Sequence, residues 1–274
     1  MLLRDFVENY HHHIWPTGGD HAKLQLQRMR HVLDGLGEDM LITDVRMMHI
    51  QDFLMTLDCA ASTRNQYISA ISKVLNYAQQ NQLIEHVPPF KGMYDKKTNQ
   101  RKRVLSEMEI DRLKRYFSAV GERWMAHMVT LADQTGLRRG SILEIGRTAQ
   151  LVEEQDAMFC YIPTQKNGDE VMVPLNDEAL RAYREFARLR SSYSDHAFRR
   201  LWDEARHHIA PGDKEFVFHS IRRTTATRLA AQNVSAVIIA QMLGHRSLQT
   251  TQKYMMTDRK TQVDTAELLK RTTH

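Results

Sequence analysis

Six residues in the second half of the chain have side chains that can act on a phosphate ester. They are two arginines, two histidines, a lysine and a tyrosine: Arg138, Lys166, His219, Arg222, His245 and Tyr254. A guanidinium group can donate two parallel hydrogen bonds to phosphate oxygens, and an imidazole can transfer a proton near neutral pH. A tyrosine hydroxyl can form a covalent intermediate once it loses its proton. Each residue alone is more commonly a surface or packing residue, so their spacing has to be considered.

The arginines and the first histidine stand in two short motifs. Thr135-Gly-Leu-Arg-Arg-Gly-Ser141 places glycines on both sides of two arginines, and these glycines permit a tight turn that would present Arg138 from a fixed backbone. The alternative is a helix–helix turn with surface arginines. His219 and Arg222 are three residues apart and share one face if they are helical. The alternative is a helix that starts near Ser220 and carries polar surface residues.

The other three candidates follow turn or helix-end signals. Lys166 directly precedes Asn167-Gly168, a strong signal for a two-residue hairpin turn, where a lysine can reach a leaving oxygen or simply be solvated. Gly244 is a good helix C-terminal residue, and His245 would project from the turn that it makes. Tyr254 lies nine residues beyond His245, in a second helix.

The elements upstream of these residues are predicted to be helical. Residues 22–36, 45–57 and 64–82 have apolar side chains at helical spacing, and Thr43-Asp44 can cap the second segment. Pro88-Pro89 ends the helical region. Residues 91–103 are rich in lysine and arginine with almost nothing apolar, which is typical of an exposed linker. We therefore predict a helical domain over residues 1–90, a linker over 91–103 and a second domain over 104–274.

The second domain is predicted to be helical with one small sheet. Ser106-Glu-Met-Glu109 is a capping box that opens a helix, and helices continue to about Glu144. Residues 158–163 and 171–175 are strand-like on either side of the hairpin signal, and helices resume from Asp177. Before Gly244, four apolar side chains are expected to be buried: Val237, Ile238, Ile239 and Met242. The predicted fold class is mainly α with a small antiparallel β-sheet, in two domains.

The composition is that of a globular protein and excludes several classes. Of the 274 residues, 42% are hydrophobic and 26% charged, with a net charge of +5 and a pI of about 9.2, which is compatible with nucleic acid. No apolar run is long enough for a membrane span, and the N-terminus lacks a signal core. Cys59 and Cys160 are far apart, so we expect no disulfide and a reducing cytoplasm. The three histidines at 11–13 cannot all face one ion, so we expect no metal site there.

Taken in order, the six residues resemble the tyrosine recombinase (phage integrase) family. Thr135-Gly-Leu-Arg138 matches the first arginine box, Lys166 the β-hairpin lysine, and His219 with Arg222 the His-x-x-Arg box. Leu243-Gly-His245 matches the Leu-Gly-His box, and Tyr254 then falls on the nucleophile. The likeness covers residues from about 105 to 257, and a weaker one extends upstream to Ser62-Thr-Arg-Asn-Gln-Tyr67 and Leu75-Asn-Tyr-Ala78.

The sequence departs from the family pattern at two positions. Ser141 stands where the family usually carries a glutamate three residues after the first arginine, and Glu144 in the next turn is a possible substitute. Arg223 stands where a second histidine is often found. Neither departure removes one of the six candidate catalytic residues, although the first affects how Arg138 is supported.

The resemblance implies a metal-free and cofactor-free cleavage and rejoining of DNA. Tyr254 would attack the scissile phosphate, held by Arg138, Arg222 and His245, and leave a 3′-phosphotyrosine. His219 could accept the tyrosine proton, and Lys166 would protonate the 5′-oxygen that leaves. The family precedent further implies double-stranded DNA as partner, a homotetramer that passes through a four-way junction, accessory or directionality factors in some cases, and work in the cytoplasm of a bacterial host, integrating or excising a phage or mobile element.

The helical domain and the linker would supply most of the remaining DNA contacts. Arg64 and Lys73 lie on the third predicted helix and would hold one side of the duplex, as part of a two-domain DNA clamp. Four linker cations would follow the phosphate backbone: Lys96, Lys97, Arg101 and Lys102. The alternative for the linker is a solvated charge run.

Two other functions stay open on the sequence. The same chemistry is used by type IB topoisomerases and resolvase-like relatives. A non-catalytic DNA-binding protein on the same fold is a different class, but it would have no need of Tyr254. The tail carries a short apolar stripe at Val263, Ala266 and Leu269, which could pack on its own domain or dock on a neighbour.

Overall fold

The computed structural model describes residues 1–94, 103–163, 170–244 and 251–252. Three of the candidate catalytic residues, Lys166, His245 and Tyr254, lie outside these ranges. The four linker cations and the apolar stripe of the tail lie outside them as well. The chain divides into two compact units, Met1–Gln100 and Arg101–His274.

The first unit is a helical domain. Its helices are α1 (Leu3–Ile14), α2 (Gly19–Leu36), α3 (Met47–Met55) and α4 (Ala61–Gln80). They bury one continuous core, in which apolar residues from α1, α2 and α4 such as Phe6, Leu33 and Ile71 are almost inaccessible to solvent. The three predicted helices are therefore confirmed, and α1 is an addition to them.

The predicted cap of α3 is wrong. Thr43 and Asp44 belong to a separate 3-10 turn, Ile42–Asp44, and α3 begins three residues later. The main-chain N–H of Arg46, the residue before α3, donates to the imidazole Nδ1 of His49 at 3.2 Å. A histidine thus takes part in the cap of α3, whereas helix N-termini are usually capped by a Ser, Thr, Asp or Asn side chain.

The second unit packs its helices and one small sheet around α6. Its helices are α5 (Glu107–Ala119), α6 (Arg123–Thr135), α7 (Arg139–Ile142), α8 (Asp177–Leu189), α9 (Asp195–Ile209), α10 (Phe218–Ala231) and α11 (Ala236–Leu243). The predicted capping box is present, since Ser106 and Glu109 exchange side-chain and main-chain hydrogen bonds at the start of α5. Buried residues occupy most of α6, which packs against α5, α8 and α10.

The sheet has three antiparallel strands in the order β1 (Gln150–Glu154), β2 (Ala157–Ile162) and β3 (Val171–Leu175). The two predicted strands are β2 and β3, with Met158 opposite Leu175 and Ile162 opposite Val171. The predicted turn between them lies outside the described residues. The strand β1 was not predicted; it joins β2 through Gln155 and Asp156, which both have positive φ angles.

The fold class is therefore confirmed as mainly helical with one small antiparallel sheet. Of the four residues predicted to be buried in α11, Ile239 is buried and Met242 is half-buried. The prediction is wrong for Val237 and Ile238, which are 52% and 50% exposed, because α11 buries only the face that carries Ile239, Ala240 and Leu243. Among the described helices, none is long and apolar enough to cross a membrane.

Candidate active site

Three helix ends meet where the sequence motifs predict a site. Gly136 caps the C-terminus of α6 and Gly244 that of α11, both in the left-handed conformation with φ of 66° and 58°. The helix α10 begins at Phe218, so that His219 and Arg222 both belong to it and the predicted shared face exists. The C-terminal carbonyl groups of a helix lack intrahelical donors and carry partial negative charge. The meeting point is thus suited to cationic side chains.

Arg222 is the side chain that joins the three ends. It is 3% exposed, and its Nη1 donates to the Gly136 carbonyl at 2.8 Å while its Nη2 donates to the Leu243 carbonyl at 2.5 Å. A buried charge is costly unless it is hydrogen-bonded, and these main-chain oxygens supply that compensation. The guanidinium is therefore held from behind by the protein backbone.

Arg138 is held in the same way by the neighbouring carbonyl. It occupies the N-cap position of α7, with an extended backbone, and its Nη1 donates to the Gly244 carbonyl at 3.0 Å. Because Leu243 and Gly244 are consecutive, the two guanidinium groups are brought side by side at the end of α11. The Arg138 side chain is only partly buried, so it reaches the surface next to Arg222.

Gly136 is required for this close approach. Its positive φ is a conformation that side chains with a Cβ rarely adopt, and a Cβ there would lie 2.3 Å from Leu243 Cδ2. The first glycine of the motif thus permits α6 to end directly against the last turn of α11.

The three described candidate residues line one pocket of about 300 Å³. Arg138, His219 and Arg222 form its polar side, and aromatic residues of α9 such as Phe198 and Trp202 form an apolar wall. His219 is exposed and lies in the first turn of α10. The positive end of that helix dipole adds to the guanidinium charges, so the pocket favours an anion such as a phosphate.

Arg139 is a pocket residue that the sequence reasoning did not select. Its guanidinium lies over the Phe198 ring at 4.8 Å and pairs with Asp195 at 3.1 Å. The only available signal was its place beside Arg138 in the arginine motif. Arg139 therefore adds a third guanidinium to the pocket, although its charge is shared with Asp195.

The structure shows the contacts of the residues at the two positions that depart from the family pattern, Ser141 and Arg223. Ser141 is buried, and the Glu144 carboxylate accepts a hydrogen bond from the Thr148 hydroxyl at 2.7 Å. The described support of Arg138 comes instead from the Gly244 carbonyl. Arg223 lies one helical turn after His219, and its Nη1 is buried without a hydrogen-bond partner among the described residues.

Arg64 and Lys73 both lie on α4 in the first unit. Lys73 is exposed and Arg64 is partly buried. They are nine residues apart, which is two and a half turns of helix, so the two side chains leave α4 on opposite sides. They do not form one cationic surface on this helix.

The His11–His13 run occupies the last turn of α1, where His11 Nδ1 lies 2.9 Å from the Glu8 carbonyl oxygen. Within the described ranges, no group of three or more His, Cys, Asp or Glu side chains is arranged to hold a metal ion.

A profile of the phage integrase family matches residues 103–261, which is more than half of the chain and includes the motifs of all six candidate residues. The chain belongs to the phage integrase family. No curated protein matches it. The matched residues make up most of the second unit and include the boxes that carry Arg138, His219 and Arg222.

Several solved structures share the fold of this family member. The integrase of transposon Tn1549, in complex with a circular intermediate DNA, is 14% identical with a TM-score of 0.71, and the match covers 97% of this chain and 98% of that one. A lambda integrase dimer bound to a core site is 18% identical with a TM-score of 0.71, over 91% and 97% of the two chains. The XerH recombinase bound to a difH substrate is 14% identical with a TM-score of 0.67, over 90% and 78%. These identities are low, so the likeness establishes the fold, which is that of tyrosine recombinases.

Proposed function

We propose that this phage integrase family member is a site-specific DNA recombinase that cuts and rejoins double-stranded DNA through a 3′-phosphotyrosine at Tyr254. The observation that carries the proposal is the meeting of Arg138, His219 and Arg222 in one pocket, at the junction of three helix ends. The solved relatives with this fold are themselves DNA complexes, which favours duplex DNA as the substrate.

The arginines would act by stabilising the transition state. Phosphoryl transfer builds charge on the non-bridging oxygens, and an enzyme lowers the barrier mainly with positive groups that are already in place. Arg138 and Arg222 meet this requirement because main-chain carbonyls hold both guanidinium groups before any substrate binds. His245 would add a third donor.

The proposed roles of Tyr254, His219 and Lys166 depend on proton transfer. A free tyrosine has a pKa of about 10, so clustered positive charge is needed to favour the phenolate of Tyr254. The imidazole of His219 is exposed in the pocket and would accept the phenolic proton, while Lys166 would return a proton to the departing 5′-oxygen. The phosphotyrosine bond preserves the energy of the broken strand, so rejoining needs no ATP.

At a finer level we propose that the chain integrates or excises a phage or other mobile element. The Tn1549 integrase, which belongs to a transposon, supports this proposal. Exchange of two strand pairs requires four active sites, so the working form would be a homotetramer on DNA in a bacterial cytoplasm, with or without accessory factors. The two domains would hold the duplex as a clamp.

The second candidate function is DNA binding without catalysis, and covalent capture distinguishes the two. Purified protein would be incubated with a pool of nicked duplexes that trap cleaved strands, in excess chelator, and denatured before recovery of the protein. We expect the wild type to carry covalent DNA and Tyr254→Phe to carry none, with DNA affinity retained. Tyr116→Phe, which removes the hydroxyl of a partly buried tyrosine on α5, is the matched control and should behave as wild type.

A normal yield of adduct from Tyr254→Phe would refute the proposed nucleophile. Loss of strand cleavage in chelator, with recovery of cleavage but no covalent adduct in magnesium, would point to a nuclease-like mechanism. Strand transfer between two duplexes, as opposed to relaxation of one supercoiled circle, would separate a recombinase from a type IB topoisomerase.

A further inference from the structure

One face of α10 is connected by polar groups to the C-terminal end of α6. Thr225 and Arg228 follow Arg222 at three-residue intervals, so successive side chains of this row are neighbours on the surface of the helix. The Thr225 hydroxyl donates to the Asp133 carbonyl at 2.9 Å, and Arg228 Nη2 donates to the same oxygen at 2.9 Å. Arg222 Nη1 donates to the Gly136 carbonyl three residues further on. The helix that carries the His-x-x-Arg box is thus fixed to the turn that presents Arg138.

The Asp133 side chain is unusual for its position. It is 3% exposed and lies in the last turn of α6, where the helix dipole disfavours a negative charge. Its carboxylate accepts hydrogen bonds from Arg228 Nη1 at 3.0 Å and from Gln134 at 2.8 Å, and Lys114 Nζ lies 3.5 Å away. Arg228 is partly exposed, but the burial of the Asp133 carboxylate costs desolvation, so this ion pair adds little net stability compared with apolar residues. A geometric role accounts better for the presence of these charges.

Arg228 contacts Asp133 with two nitrogens on two different oxygens. One is a side-chain oxygen and the other is the main-chain carbonyl oxygen, so the planar guanidinium recognises the position of the backbone as well as the charge. A slip of α10 by one residue would shift it by about 1.5 Å along its axis and break both bonds. Lysine could keep the charge but not this two-point contact.

We propose that Asp133 and Arg228 are a positioning pair that fixes the register of α10 against the Gly136 turn, and thereby the placement of Arg222 beside Arg138. The inference rests on the proposed function, in which both arginines act on one phosphate. Neither member of the pair lines the pocket, so they act through Arg222 and the turn. A displacement of about 1 Å at reacting groups can lower a rate by about 100-fold, so a shift in the register of α10 would affect the reaction through Arg222.

Lys114 offers a matched control on the same carboxylate. It lies on α5 and also pairs with Glu178 of α8 at 3.0 Å, so it compensates the charge of Asp133 from elements other than α10. Removing Lys114 changes the electrostatics around Asp133, whereas changing Arg228 to lysine keeps the charge and loses the two-point contact. The two variants therefore separate charge compensation from register.

The experiment compares full-length Arg228→Lys, Asp133→Asn and Lys114→Met with wild type. Three quantities are measured: the single-turnover rate of covalent adduct formation at saturating DNA, the dissociation constant for that DNA, and the melting temperature. For Arg228→Lys we expect the adduct rate to fall about 10- to 100-fold while the affinity changes by less than about threefold. Asp133→Asn, which keeps the main-chain acceptor, should fall between Arg228→Lys and wild type. Lys114→Met should keep the wild-type rate even where its melting temperature drops.

Amide hydrogen exchange of the peptide that spans residues 134–140 gives a readout that does not require activity. It should be faster in Arg228→Lys than in Lys114→Met at equal distance from their melting temperatures, because only the first loosens the turn. A wild-type adduct rate and wild-type exchange in Arg228→Lys would overturn the proposal, as would rates that simply follow the melting temperatures of all three variants. If the wild type forms no adduct on any DNA, the recombinase proposal fails, while faster exchange in Arg228→Lys alone would still establish the register role.

Discussion

At the scale of the residue, Arg138 and Arg222 are held by carbonyl oxygens that are adjacent in the chain. The acceptors are Gly244 for Arg138 and Leu243 for Arg222, and Arg222 also reaches Gly136. Groups that are ordered before the substrate arrives need no reorganisation during the reaction, and this is the property that makes such donors effective. The two arginines should therefore influence rate more than affinity.

We predict that Arg138→Ala and Arg222→Ala each lower the rate of covalent adduct formation by about 100- to 1000-fold or more, because each removes a preorganised donor. The affinity for DNA should fall by less than about tenfold, since most of it is sequence-independent contact with other phosphates. Single-turnover cleavage and a binding titration measure the two effects separately.

The control for the arginines is Arg200→Ala, which removes an exposed guanidinium paired with Glu204 on α9. Arg222→Ala also removes the guanidinium donor from two carbonyls, at a cost of about 1–3 kcal/mol for each carbonyl left unsatisfied. The rates are therefore compared under conditions in which both variants are folded. Equal losses of rate and affinity would show that the two arginines only bind the DNA backbone and do not act on the transition state.

At the scale of the element, the site depends on the end of α6 meeting the end of α11. We predict that Gly136→Ala destabilises the second unit by about 1–3 kcal/mol, because it forces an alanine into the left-handed conformation and places its Cβ against Leu243. Chemical denaturation monitored by circular dichroism measures the loss.

Gly140→Ala is the matched control within the same motif. Gly140 lies in α7, its φ is not positive, and no described atom outside its own stretch of chain lies within 4 Å of the position that a Cβ would take. Alanine there should be neutral or stabilising by up to about 1 kcal/mol. If both substitutions had the same effect, the conformation of Gly136 would not be what holds the junction together.

How far the sequence predicts these elements depends on the kind of signal that each carries. The capping box of α5 and strands β2 and β3 could be read directly, because local hydrogen bonding and alternation fix them. Strand β1 could not, since Gln150–Glu154 has few apolar residues and its turn, Gln155-Asp156, is not a standard hairpin pair. It is a strand because β2 pairs with it.

The apolar run in α11 misled the burial prediction for a related reason. A helix of eight residues can present only one stripe to the core, and in the tertiary packing this stripe carries Ile239 and Leu243, not Val237 and Ile238.

In the site, the order of the motifs was enough to select Arg138, His219 and Arg222. Asp133 and Arg228 could not be found in this way, because a single aspartate and a single arginine 95 positions apart carry no local pattern.

At the scale of the whole molecule, the linker cations should contribute to DNA affinity. We predict that replacing Lys96, Lys97, Arg101 and Lys102 by glutamine flattens the dependence of the binding constant on salt, by roughly one unit of log–log slope for each lost phosphate contact. Binding titrations at several salt concentrations measure the slope.

Four exposed cations of the second unit serve as the control for the linker: Arg181, Arg184, Arg188 and Lys214. Their replacement changes the net charge equally but removes no predicted phosphate contact, so the slope should change little. An unchanged slope in the linker variant would show that these residues form a solvated charge run.

Assembly is the other property of the whole molecule. We predict that a chain truncated after Thr261 binds a single site with nearly wild-type affinity but no longer recombines, because the apolar stripe at Val263, Ala266 and Leu269 would dock on a neighbouring protomer. Gel-shift and synapsis assays on paired sites separate the two steps. A truncated protein that unfolds, or that recombines at full rate, would show that the tail packs on its own domain or contributes little.

The most direct test of the central claim is to identify the atom that carries the DNA. Wild-type protein trapped on a nicked duplex would be digested with protease and nuclease, and the nucleotide-bearing peptide sequenced by mass spectrometry. We predict a single modified residue, Tyr254, joined through its phenolic oxygen to a 3′-phosphate, with a free 5′-hydroxyl on the other strand end. A nucleotide on another residue, a 5′-phosphate linkage, or cleaved DNA with no modified peptide would contradict the proposed mechanism.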